Sequence, residues 1–465
     1  MATMDEKPGN FMLSISSEGE KATDCRGSLL MLGLVAPIGG LAAGLIGAFF
    51  RLALLKADRL RDGLIGWAHA GSSVGGFLLI ATVGAVGAGT ATWLVRRFAP
   101  PASGSGIPQV EAVLNEGMPP PPLRLIPVKF AGGLLAIGSG LALGREGPSV
   151  QMGAAIAYHL GKLLRRSSAD CRVLLAAGAG AGLATAFNAP IAGAIFVLEE
   201  LDKRFEPRIA IAALGASAAA ISVSRMLLGN QPDFHIVPLA YADFWVRPLF
   251  LLLGAFAGFS GILYNRCLLG ALAGSDKLGR LPAEIRAAAI GSGVGALAWF
   301  APGLVGGGDP ITASALAGVG AIAVIPLLFV LRLGLGTVSY ATGTPGGLFA
   351  PLLVLGAELG LFFGKICALA LPGLPIQPEG FAVVGMAALF TGIVRAPLTG
   401  VALVTEMTGN VTMLLPMLGA SFVAMLVPTL LGDAPIYDSL RARLSERHDR
   451  VVAVRAGRAA GPQAE

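Results

Sequence analysis

Charge is scarce in this chain. Asp, Glu, Lys and Arg make up 13% of its 465 residues, about half the share of roughly 25% found in soluble proteins, and the mean hydropathy is +0.74. A surface so poor in charge excludes a soluble globular fold. Cysteine is also sparse: Cys25, Cys171, Cys267 and Cys367 show neither paired nor CxxC spacing, which indicates neither a disulfide framework nor a zinc site. The four histidines supply no haem pair and no HExxH motif, and there is no nucleophile elbow. A membrane-embedded redox or hydrolytic enzyme therefore lacks its chemistry; the chain reads as no enzyme, with no cofactor and no metal. The first 28 residues carry Asp5, Glu6, Glu18 and Glu20 without a cleavable signal pattern and read as a polar cytoplasmic tail.

Glycine and long apolar runs are abundant. The 66 glycines fall inside apolar stretches, which excludes disorder and collagen and leaves the bilayer as solvent. A spanning helix needs about 20 apolar residues, and Leu29–Phe50, Val74–Val95, Ile209–Leu228, Leu249–Leu269 and Val411–Leu431 reach that length. Many other runs are shorter and broken by Gly or Pro. Broken segments cannot expose backbone polar groups to lipid, so they must lie inside protein or line a polar cavity, which favours a transporter or channel. The 34 Lys and Arg against 28 Asp and Glu leave only +6. This excess sits at 51–61, 96–97 and 441–458, as loop and tail charge rather than a nucleic-acid surface. The positive-inside rule puts the basic tail, 441–465, in the cytoplasm.

Two motifs recur in the same order. Gly144-Arg145-Glu146-Gly147-Pro148 and Gly347-Leu348-Phe349-Ala350-Pro351 share G-x-x-x-P at 144 and 347, an offset of 203. Ala189-Pro190 through Glu199 matches Ala396-Pro397 through Glu406 at an offset of 207. Duplicated order predicts two homologous halves, about 29–229 and 247–440, joined by the polar stretch Asn230 to Asp243, with the site between them. Spacing alone leaves open whether the halves are parallel or inverted. The Gly178–Gly182 and Gly291–Gly293 runs lack the strand and acidic partner of a dinucleotide fingerprint, and read as close helix packing.

Four loops look poised to start helices: Gly104-Ser105-Gly106-Ile107-Pro108, Gly144–Pro148, Gly346–Pro351 and Pro435-Ile436-Tyr437. Glycine permits the turn and proline suits the first helical turn. Free N–H groups at such ends make anion sites. One helix end contributes roughly 0.3–1 kcal/mol, too little to replace an anion's hydration, so several must converge. Ser105 and Tyr437 add hydroxyls, and the N–H groups of Leu348 and Phe349 add neutral donors. Neutral donors suit a weakly basic anion that must leave again, and chloride fits better than phosphate. Taken singly, Ser105 also fits ordinary turn chemistry and Tyr437 an interfacial anchor. Lys129, before an apolar run, reads either as a buried counter-charge or as a snorkelling end and receives no role.

Glu146 is an acid in an apolar segment, a functional candidate by default. At a helix start its carboxylate can occupy an anion's place, and protonation would release it; equally it can act as a stabilising cap paired with Arg145. The repeat weighs toward the first, because the matching position is Phe349 and a purely structural cap would be kept acidic twice. By the same test Glu199, matched by Glu406, looks structural, whereas Glu200 faces Met407. Locally, Glu200 reads as a helix-end carboxylate pairing with Lys203 or Arg204 at i+3 and i+4.

These segments, GSGIP at 104–108, GREGP at 144–148, GGLFAP at 346–351 and the tyrosine of PIY at Tyr437, resemble the CLC chloride channel and transporter family. PVKF at 127–130, FNAP at 187–190 and RAPLTG at 395–400 agree, so the resemblance covers about 29–440. It implies an all-α integral membrane fold of tilted, broken helices in two inverted repeats, assembled as a homodimer with one pore per subunit in a bacterial inner membrane. It implies chloride held by Ser105, Gly106, Ile107, Leu348, Phe349 and Tyr437, with Arg145 to Gly147 facing an outer site. Glu146 resembles the external gating glutamate and Glu200 the internal proton-transfer glutamate of the antiporter branch. The expected activity is chloride/proton antiport, with a passive chloride channel as the alternative. The tail after Tyr437 is too short for the paired regulatory modules of many members.

Overall fold

The computed structural model describes residues 9–236, 238–241 and 243–446, with side chains from residue 29 onward. Among these residues the regular elements are all helices, with two isolated β-bridges in the loops. The first half comprises α1 (Gly9–His69), α2 (Ser73–Phe98), α3 (Ile107–Asn115), α4 (Leu125–Gly138), α5 (Glu146–Leu163), α6 (Ser168–Phe187), α7 (Pro190–Phe196) and α8 (Pro207–Leu228). The second comprises α9 (Arg247–Lys277), α10 (Ala283–Phe300), α11 (Asp309–Leu316), α12 (Ile325–Ala341), α13 (Phe349–Ala370), α14 (Pro378–Val394), α15 (Pro397–Thr408) and α16 (Leu414–Leu430). A final helix, α17, covers 436–446. Residues 9–28, which composition marks as a polar tail, continue α1 as helix; most of the basic stretch 441–465 lies outside the described residues.

Eight helices in one half meet eight in the other, in the same order. All four Gly/Pro loops start helices as the punctuation predicts, at Ile107, Glu146, Phe349 and residue 436. Among the described residues, six helices are long and apolar enough to cross a bilayer. Four coincide with the long apolar runs. The fifth run, Val411–Leu431, gives only the shorter α16, while α6 and α13 are added. α6 was masked in sequence by its alanine and glycine content: it is the buried centre of its half, as is its counterpart α14, whose residues Gly380–Val394 are all buried.

Small residues set the packing distances. A Cβ on Gly178 would fall 2.3 Å from the carbonyl of Gly153, and one on Gly291 2.2 Å from that of Gly84. The glycine runs thus bring α6 against α5 and α10 against α2, since without a hydrophobic force between helices in lipid, close approach and dispersion hold them.

The two halves exchange caps. Glu199 accepts from the N–H groups of Leu398 and Thr399 at 3.0 and 2.7 Å, at the start of α15. Glu406 accepts from Ile191 and Ala192 at 3.1 and 2.8 Å, at the start of α7. Such reciprocity is what a pseudo-twofold axis produces. A second symmetric pair is buried. Lys129 donates to the carbonyls of Ala102 and Gly104 at 3.0 and 2.7 Å, and Arg332 to those of Leu304 and Gly306 at 2.9 and 3.0 Å. Lys129 is therefore neither a counter-charge nor a snorkelling end but a clamp on the loop before α3. Glu406→Ala removes two charge-assisted bonds at one helix start and is expected to cost about 2–3 kcal/mol, read as a lower melting temperature in detergent; Leu30→Ala, at an exposed apolar position, leaves it unchanged.

Candidate ion-binding and gating site

The site forms where four helix starts meet. Gly106 holds a left-handed φ of 92° before α3, and a Cβ there would lie 2.5 Å from Gln151 Oε1, so only glycine fits. A Cβ on Gly147 would lie 2.5 Å from the Ser105 carbonyl and 2.8 Å from its hydroxyl, which places the start of α5 against the loop before α3. Gly144 and Gly347 exchange N–H to carbonyl bonds of 2.9 and 2.7 Å and lock the loop before α5 to that before α13. The Phe349 ring lies 5.9 Å from that of Tyr437, joining α13 to α17. The sequence demanded several converging ends, and these contacts supply them.

Glu146 sits at the junction, fully buried. Its Oε1 accepts from the Phe349 N–H at 2.7 Å, while Oε2 has no partner among the described residues. It forms no ion pair with Arg145. That guanidinium donates instead to the Ala186 carbonyl, Asp233 and Asp309 at 2.9, 3.0 and 3.1 Å, and Asp233 also binds Arg51 at 2.6 Å. Arg145 thus lends the site its backbone, not a free cation. With its charge balanced elsewhere, the donors left around Glu146 are neutral.

Two buried hydroxyls, Ser105 Oγ and Tyr437 OH, also lack partners. Neither fits the alternatives of turn chemistry or interfacial anchoring, since both side chains are wholly enclosed. The Ser105 N–H is tied to Tyr340 OH at 3.4 Å. Phe349 is caged by Phe187, Phe196 and Phe390 with ring separations of 6.4, 5.8 and 4.6 Å. Ile107 and Leu348 are buried at the starts of α3 and α13, adjoining the same point. Buried as these groups are, each fixed N–H and O–H dipole acts at a dielectric below that of bulk water, where it is worth more than in solution.

Glu200 lies apart, in a π-helical turn, Val197–Leu201, that extends α7. The turn accommodates one extra residue, so Glu199 reaches α15 while Glu200 points inward, 3% exposed with Oε1 unpartnered. The second half has no such turn among its described residues; α15 stays α-helical to Thr408. The expected Glu200 pairing with Lys203 is not made, because Lys203 is drawn to Asp438 and Glu111 at 2.8 and 3.3 Å. Arg441 closes this cluster on Glu111, Glu116 and Asp438. Glu111, wholly buried, escaped the sequence reading because its partners come from segments far along the chain.

Three cavities approach these groups. One of about 540 Å³ reaches Gly144, Arg145, Gly306–Asp309 and Ala350 on the Glu146 side. Opposite, one of about 270 Å³ reaches Gly104, Tyr340 and Arg443 behind Ser105, and a separate one of about 490 Å³ reaches Glu199, Glu200, Lys203 and Arg395.

Residues 86–429 match the model of the voltage gated chloride channel family. The chain is a member of the CLC family. It is 38% identical over 419 residues to the H(+)/Cl(-) exchange transporter ClcA of Vibrio parahaemolyticus serotype O3:K6, covering 88% of this chain and 89% of that one. It is 39% identical over 422 residues to the protein of the same name from Cronobacter sakazakii, again covering 88% and 89%. Among solved structures, a slow cyanobacterial Cl-/H+ antiporter superposes with a TM-score of 0.84 at 33% identity, covering 89% of this chain and 97% of that one. The CLC chain is an integral, multi-pass membrane protein, and its fold is the inverted-repeat, all-α architecture that the motifs imply.

The seat of Glu146 depends on two missing side chains. A Cβ on Gly347 would lie 2.1 Å from Oε1, and one on Gly144 2.0 Å from Oε2. Gly347→Ala is expected to expel the carboxylate, seen as loss of its density beside the Phe349 N–H in a structure of the variant. Gly33→Ala, with nothing within 4 Å, retains it.

Proposed function

We propose that this CLC protein exchanges chloride for protons, with Glu146 as the group that couples the two. One observation carries the reading: a buried carboxylate with a spare oxygen occupies a helix-start N–H beside two buried, partnerless hydroxyls. Chloride is held by Ser105 Oγ, Tyr437 OH and the N–H groups near Leu348 and Phe349, with the starts of α3 and α5 at Gly106, Ile107 and Gly147 adding positive dipole ends. While ionised, Glu146 competes for those donors. A proton on the carboxylate neutralises it, frees the Phe349 N–H and lets the anion advance.

Glu200 favours exchange over a passive channel. A buried acid off the chloride line, beside its own cavity, is what a separate proton branch requires. Protons then travel between Glu146 and the cytoplasmic side by way of Glu200, while chloride leaves past Ser105. The reading also carries a homodimer in which each subunit works its own path. The named relatives point the same way, and no reacting cofactor enters the scheme.

In proteoliposomes, chloride-driven proton movement tests the coupling. Glu200→Gln is expected to keep chloride flux and lower proton flux roughly hundredfold, the scale of a positioned proton-transfer group; unchanged proton flux removes Glu200 from the scheme. Glu146→Gln, fixed in the neutral form, is expected to pass chloride with no proton coupling. Retained coupling in that variant overturns the gate.

A further inference from the structure

The repeat comparison that singles out Glu146 and Glu200 yields a third acid once the helices are aligned. Glu358 on α13 stands opposite Ala155 at the same offset of 203. It is 2% exposed, and both its carboxylate oxygens are buried without a hydrogen-bond partner among the described residues. Nothing in the proposed exchange uses it. A carboxylate left unpaired in such a place is costly, so its presence asks for a role.

Its placement supplies one. Ala350, Val354 and Glu358 follow at successive turns on one face of α13. Ala350 lines the large cavity on the Glu146 side, and Val354 would touch a Cβ on Gly308 at 2.7 Å. Glu358 is one turn further, about 5 Å along the helix. The opposite charge that acts on it is Arg332 on α12, which donates to the carbonyls of Leu304, Gly306 and Gly307 and forms no ion pair among the described residues. Other charged groups around α13 are engaged elsewhere. Asp309 on α11 binds Arg145, Glu379 on α14 lies against Gly318, and Glu146 on α5 holds the Phe349 N–H. α9 meets α13 through Phe256 on Phe363.

We propose that Glu358 is a second proton-binding group on the Glu146 side, whose charge sets the grip of Arg332 on the 304–307 loop and so the rate of exchange. Neutral Glu358 leaves the guanidinium to the three carbonyls. Ionised Glu358 competes for it and loosens the loop that ends in Asp309, the partner of Arg145 next to the gate. The site takes only a proton, exchanged with water of the cavity that Ala350 lines two turns back along α13. It is absent from the symmetric position because Lys129 has Ala155, not an acid, at the equivalent point.

The inference rests on the exchange reading, and two measurements keep them apart. In proteoliposomes, wild-type chloride flux is followed as external pH rises; Glu358→Gln, locked neutral, is expected to fall roughly fivefold below wild type at the alkaline end, a modest inter-site coupling, and to match it at the acid end with unchanged coupling ratio. Independently, amide exchange of 305–309, corrected for intrinsic rate, is expected to quicken with pH in wild type and to stay slow in the variant. Identical flux profiles, or identical amide exchange, in the two proteins overturn the role of Glu358. Absence of proton coupling in wild type defeats the exchange reading alone, and the amide measurement then still decides on Glu358.

Discussion

Helix starts carry N–H groups that the helix itself cannot satisfy, and in a bilayer no water replaces the missing partners. This constraint governs the molecule. Every short helix has to find acceptors from another part of the chain, or leave its donors for something that visits. The starts of α7 and α15 take the first course through Glu406 and Glu199. Those of α3, α5, α13 and α17 converge on Ser105, Glu146, Phe349 and Tyr437, where the Phe349 N–H is held by Glu146 and two hydroxyls stay unpartnered. The same physics therefore yields a rigid joint in one place and, in the proposed exchange, an ion site in another. The difference lies in whether an acceptor is permanently supplied.

Symmetry built the frame, and three buried acids depart from it. Lys129 and Arg332 hold equivalent loops, and Glu199 and Glu406 cap equivalent helices; these pairs are scaffolding. Glu146 opposite Phe349, Glu200 opposite Met407 and Glu358 opposite Ala155 break the pattern, and each is a buried acid with at least one partnerless oxygen. In the proposed exchange these are the groups that bind and release protons, and none has an acidic twin in the other half.

Much of this was legible in the chain. Gly and Pro act locally, so the loops before Ile107, Glu146, Phe349 and residue 436 could be placed without a fold. The repeat exposed Glu146 and the structural character of Glu199. What stayed hidden depended on long-range contact. The π-helical turn at Val197–Leu201 has no sequence signal, yet it decides that Glu200 turns inward. Lys203 was matched to Glu200 by helical spacing, but Asp438 and Glu111 outbid it. α6 went unnoticed as a span because alanine and glycine are only mildly apolar, although they are what lets it sit at the centre. Lys129 and Arg332 stand at the same offset of 203 as the first repeated motif, so the loop clamp too is written in the repeat.

The exchanged caps bear on how the protein is made. A ribosome delivers α7 into the membrane more than two hundred residues before Glu406 exists, so the newborn first half carries an unfinished helix end in lipid. Either a translocation factor or neighbouring carbonyls must shelter it until the second half arrives. The start of α7 is thus completed only once Glu406 is made, and a chain truncated before it lacks both acceptors.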